Sequence, residues 1–157
     1  MRRMTILLAM SVMSIYACSS QQTPPEQATA LATAPSLASL KNFVGKYPAE
    51  IKLWESPPLQ GRLRALLGEH YQKFLVNMQV TGPLIADGNV AYVTGNKPHS
   101  GGSEAAIFLA EIESNRIHVW LMVNEIMTEY HEPGPRIKLP REVETMVNEM
   151  QPMKGAN

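Results

Sequence analysis

The hydrophobic pattern changes its period once along this chain. Leu59, Leu63, Leu66 and Leu67 recur at helical spacing, with Gln60, Arg62 and Arg64 opposite them. That is the stripe of an amphipathic helix, and Gly68 suits its C-cap. A second helix is expected from Glu69 to about Met78, burying Tyr71, Phe74, Leu75 and Met78. From Val80 the period becomes two. Val80 to Ala86 reads as a strand, and Asp87-Gly88 after it is a strong hairpin signal. Val90 to Thr94 alternates, and Gly95 to Ser103 is a loop. Ala105 to Ile112 is an apolar strand, closed by a turn at Ser114-Asn115, since Asn tolerates positive φ. Ile117, Val119, Leu121 and Val123 then alternate with His118, Trp120 and Met122, and Ile126 to Tyr130 reads as a further strand. After the Glu132-Pro133-Gly134-Pro135 turn, Pro140 opens a last helix with Val143, Met146, Val147 and Met150 on one side. Upstream, Lys41 to Tyr47 is a short segment stopped by Pro48. Ile51 to Trp54 reads as apolar and extended, before Pro57-Pro58. Strands joined by tight turns pair antiparallel. The expected fold is therefore α+β: an antiparallel sheet of four to five strands packed with flanking helices.

The first forty residues follow another logic. Met1-Arg2-Arg3 precedes an apolar run from Met4 to about Ile15. A basic start and an apolar stretch of about 7–15 residues mark a secretory signal, too short for a membrane span of about 20 residues. Ile15-Tyr16-Ala17-Cys18 resembles a bacterial lipobox, with Ala17 as the small residue before the cut. Tyr16 is bulkier than the usual occupant. Cys18 is the only cysteine and stands where acyl chains such as palmitate would be attached. Several acyl chains on one residue give stable anchoring. Ser19 follows it, and by resemblance to other lipoproteins the absence of Asp there favours the outer membrane. Ser19 to Ser39 is rich in Pro, Ala, Ser, Thr and Gln, with Glu26 its single charge. Such a stretch buries too little to offset the entropy of ordering, so it reads as a tether. The expected organisation is a signal over 1–17, a lipidated Cys18 and tether over 18–39, and one domain over 40–157. The expected location is the periplasmic side of the outer membrane.

Composition narrows the function. The chain has 157 residues and a formal net charge of +0; loss of Arg2 and Arg3 on export leaves it slightly acidic. No basic block is present, so nucleic acid is not an expected partner. A single cysteine leaves no internal disulfide, and the domain is long enough to form a core without one.

The chemistry-bearing stretch is the loop between two apolar strands, Asn96-Lys97-Pro98-His99-Ser100-Gly101-Gly102-Ser103-Glu104. Pro98 stiffens it and the glycines let it turn. Binding groups gather on loops carried by rigid sheets. The stretch resembles the inhibitor of vertebrate lysozyme family of the bacterial periplasm, whose loop between two central strands reads Cys-Lys-Pro-His-Asp-Cys-Gly-Ser. Lys97, Pro98, His99, Gly102 and Ser103 match that pattern, and the likeness covers about Val90 to Val123. In that family the loop histidine enters the lysozyme cleft and meets the catalytic carboxylates. The resemblance implies that His99 is the plug, with Lys97, Pro98 and Ser100 shaping the partner-binding loop. An imidazole can bond to an ionised or a protonated acid, because it donates and accepts. Asn96 and Gly101 stand where the family has its two cysteines. Without that disulfide, binding is expected to order the loop at about 1–2 kcal/mol per residue fixed.

Other constellations are poorer. Ser100 and Ser103 lack a Gly-x-Ser-x-Gly elbow. His99, His118, His131 and Glu132 lack zinc-type spacing. Glu111 and Glu113 share a strand face near its end, where acids are usually solvated, and Gly95 to Gly102 lacks a Walker ending. His118 reads as a half-buried sheet residue, and Trp54 and Trp120 as core or sheet-face residues. The expectation is a binding module with no cofactor, no metal and no catalytic residue. It would touch the membrane through its lipid only and bind lysozyme or another envelope protein. The rival reading is a structural or assembly lipoprotein that binds an envelope protein or peptidoglycan by a sheet face.

Overall fold

The computed structural model describes residues 36–100 and 102–151. The signal, Cys18, nearly all of the tether and Gly101 lie outside the described residues. A 3-10 helix, Leu37–Phe43, comes first. It is capped by the Ser36 hydroxyl, which accepts the Ala38 N–H at 3.2 Å. Leu37 and Leu40 are buried, and the Leu37 N–H donates to Asn115 Oδ1 at 2.9 Å. Packing thus includes Leu37.

Ile51 to Trp54 is not extended. Its backbone turns through Lys52 at φ 48° into a 3-10 turn, Leu53–Glu55, which buries Leu53. Helix α1, Pro57–Leu67, follows. Pro57 and Pro58 open this helix instead of ending a strand, because the missing proline N–H has no helical partner at N1 anyway. Gly68 takes φ 54° at its C-cap, the left-handed region that glycine enters without a Cβ penalty. A 3-10 turn, Gly68–His70, leads into α2, Tyr71–Asn77.

Six strands follow: β1 Val80–Thr81, β2 Ile85–Asp87, β3 Val90–Asn96, β4 Ala105–Glu111, β5 Arg116–Val123 and β6 Ile126–His131. The last helix, α3, is Arg141–Met150. All pairings are antiparallel, in the order β1-β3-β4-β5-β6, with β2 also on the outer edge of β3. The strand expected over Val80 to Ala86 is two pieces. Pro83 has no N–H for the ladder. Leu84 turns instead to the upstream segment, donating to Lys46 O and accepting from the Gly45 N–H, both at 2.8 Å.

Both faces of the central strands are covered. Ala106, Phe108, Ala110, Ile117, Val119 and Leu121 pack with Leu59, Leu63, Tyr71 and Phe74 from α1 and α2. On the other face Tyr92, Ile107, Leu109, Trp120 and Met122 pack with Val143, Val147 and Met150 of α3. This explains why β4 is apolar at nearly every position: a strand buried on both faces loses its alternation. No helix among the described residues is long and apolar enough to cross a membrane.

Candidate functional site

Beneath the loop, the end of α2 is driven hard against the sheet. Asn77 is fully buried and its Nδ2 donates to Ala105 O at 3.1 Å and Met122 O at 2.8 Å. It joins the helix to the start of β4 and the end of β5. Gly95 is needed for that approach: a Cβ there would stand 2.9 Å from both Asn77 O and Met78 Sδ. The strands flanking the loop are therefore set by the core, not by the loop.

The loop closes on itself. Lys97 N–H donates to Glu104 O across its mouth at 3.2 Å. Inside, the Ser100 carbonyl accepts from Ser103 N–H, Ser103 Oγ and Glu104 N–H, each at 3.2 Å. Asn96 Nδ2 donates to Lys97 O at 3.1 Å. The loop is also tied to its neighbour, the turn between β5 and β6. Glu125 N–H donates to Ser103 O at 3.0 Å, and Asn124 N–H to the carboxylate of the buried Glu104 at 3.3 Å. The sequence led us to expect a loop to be ordered on binding. Among the described residues, the Lys97–Glu104 hydrogen bond joins its two ends.

His99 is exposed at the tip with a left-handed backbone, φ 59°, uncommon outside glycine. Among the described residues nothing hydrogen-bonds its ring. Lys97, Pro98 and Ser100 are half-buried, so the structure brings all four predicted residues into one hairpin loop and leaves His99 as its accessible group. Ser100 serves as the internal staple. Asn77 and Asn124 were not singled out from sequence. Gly95, expected to open the loop, instead lies inside β3, where a glycine marks a close backbone approach.

The competing constellations do not assemble. The Ser100 and Ser103 hydroxyls donate to backbone carbonyls, not to a histidine. Glu111 is engaged by Arg116 and Ser114. Among the described residues no group of three or more His, Cys, Asp or Glu could hold a metal. His118 is more buried than expected, 4% exposed, and both ring nitrogens lack partners. Burial, with the Arg116 and His131 charges, lowers its pKa to about 4, so it is neutral at physiological pH. It borders a cavity of about 400 Å³ with Trp120, Glu129, His131 and Arg136. Trp120 is 3% exposed, a core residue and not a surface contact.

No curated protein and no solved structure matches this chain. The family described as Inhibitor of vertebrate lysozyme (Ivy) matches it over residues 58–153. The match spans α1 to beyond α3 and includes the whole loop. That is an inhibitor family, not an enzyme family, and its partner is a protein. The match covers more than half of the chain, and the protein belongs to the inhibitor of vertebrate lysozyme family.

Proposed function

We propose that this protein is an exported, lipid-anchored lysozyme inhibitor that sets His99 into the cleft of its target. The observation that carries this is the closed loop with His99 left exposed at its tip. Lysozyme works with two carboxyl groups, one protonated and one ionised. A neutral imidazole meets both states, accepting from the acid and donating to the carboxylate. Lys97 adds positive charge beside them. A histidine so placed occupies the space the sugar needs. The Lys97–Glu104 bond and those around Ser100 reduce the conformational entropy to be lost, and preorganisation raises affinity. The rival reading, partner binding by a sheet face, is disfavoured for the central strands, whose two faces the helices cover.

The anchor is the second part of the proposal: cleavage before Cys18, acylation there, and display on the periplasmic side of the outer membrane. The test of function is a titration of the chain from Ser19 onward into vertebrate lysozyme, followed by clearing of a cell-wall suspension. Inhibition weakened tenfold or more by His99→Ala, about 1.4 kcal/mol or above, with Tm unchanged, is the expected result. Inhibition that survives the substitution keeps the target and discards the plug. No inhibition at any tested concentration discards both. For the anchor, Cys18→Ala should move the protein from the membrane to the soluble fraction; an unchanged membrane fraction sinks the lipid.

A further inference from the structure

Among the described residues five non-glycine residues have positive φ, and three of them, His99, Asn124 and Glu125, lie in the loop and the turn bonded to it. A two-residue hairpin turn with positive φ at both positions strongly favours Asn-Gly. Here Asn124 fits, but the second position holds Glu125 at φ 66°. A strained residue kept where glycine would be relaxed points to a use for its side chain. Glu125 is exposed, and the next residue, Ile126, is 71% exposed, the highest among the large exposed hydrophobics.

We propose that the Asn124-Glu125-Ile126 turn is a second contact element for the protein that receives His99, with Ile126 as apolar anchor and Glu125 as its charged neighbour. This rests on the lysozyme-inhibitor reading above. Two hydrogen bonds weld the turn to the loop, through Ser103 O and the Glu104 carboxylate, so loop and turn approach a partner as one surface. At about 4.8 Å per strand spacing, Ile126 on β6 stands roughly 10 Å to the side of β4, where the loop ends. That offset suits the lip of a cleft whose floor takes the histidine. The charges match in kind: Lys97 faces the acids inside a glycosidase cleft, and Glu125 faces the cationic surface of a basic lysozyme around it. Apolar anchors beside a central plug are the usual carriers of interface energy.

The experiment measures the inhibition constant against vertebrate lysozyme and the Tm for wild type, His99→Ala, Ile126→Ser, Ile126→Ala, Glu125→Gly and Val44→Ser. Val44 is an exposed hydrophobic outside this surface. Ile126→Ser should weaken inhibition about tenfold and Ile126→Ala somewhat less, with Tm unchanged. Glu125→Gly should raise Tm by about 2 °C, by relieving the left-handed backbone, and yet weaken inhibition. A residue with a purely structural role cannot give that opposite pair. Val44→Ser should change neither reading. Wild-type inhibition that depends on His99 but is untouched by the Ile126 and Glu125 variants overturns this inference and leaves the plug standing. Absence of inhibition by the wild type overturns the plug, and this contact surface with it.

Discussion

Where β4 turns into β5, Arg62 reaches from α1 to bond Glu132 with Nε at 2.9 Å and the Asn115 carbonyl with Nη2 at 2.6 Å. Glu132 also accepts the Ile117 N–H at 2.9 Å, and Arg116 pairs with Glu111 alongside. At the opposite end, the His99 loop is held mainly by neutral backbone and amide hydrogen bonds of 3.0 to 3.2 Å. One end is clasped by buried charge, which is strong when complete and costly when broken. The other is held by many small contacts, each worth about 0.5–1.5 kcal/mol. The difference separates duties: the charged end secures the fold, and the neutral end fixes a shape while leaving the His99 ring exposed.

The largest expected effect breaks the clasp. Arg62→Ala strands Glu132 and should cost about 3 kcal/mol, a fall in Tm of roughly 10 °C. Lysozyme inhibition measured well below that temperature should be unchanged. A parallel loss of inhibition would mean the two ends are coupled. An intermediate effect comes from pH. His118 sits beside Arg116, and its folded pKa of about 4 lies below the ordinary value of 6.5. The unfolded chain therefore binds the proton more readily, and stability falls as pH drops from about 6.5 towards 4. Allowing for screening through the adjoining cavity, the loss is about 2 kcal/mol. Urea midpoints for wild type and His118→Phe should diverge in that window; parallel curves would remove His118 as the cause. The smallest effect is at the loop. Asn96→Ala deletes one bond to Lys97 O, about 0.5–1 kcal/mol at a half-buried site. Tm should hardly move, but amide exchange at Lys97 and Ser100 should quicken. A Tm fall like that of Arg62→Ala would erase the contrast between the two ends.

Much of the fold was legible because it is periodic. The leucines of α1, the switch to strands after Met78 and the apolar run of β4 each state their own burial. The split of the first strand was not, since Leu84 is recruited by Gly45 and Lys46, far upstream; Pro83 was its one local sign. Of the site, the sequence carried the loop residues but not their support. Asn77 looks like an ordinary helix residue until the carbonyls of Ala105 and Met122 are brought to it. The closing bonds of the loop are backbone groups, which every residue has and no sequence pattern marks. The absent cysteines argued for a slack loop, and only the geometry of Ser100, Ser103 and the neighbouring turn replaced that argument.

The Leu37 amide is fastened to Asn115, at the clasped end. The chain therefore enters the domain at the pole farthest from His99. Were Cys18 acylated as proposed, the cord would join the domain at the clasped end and leave the His99 end free to point away from the bilayer. Attachment and encounter would then use opposite poles of the domain.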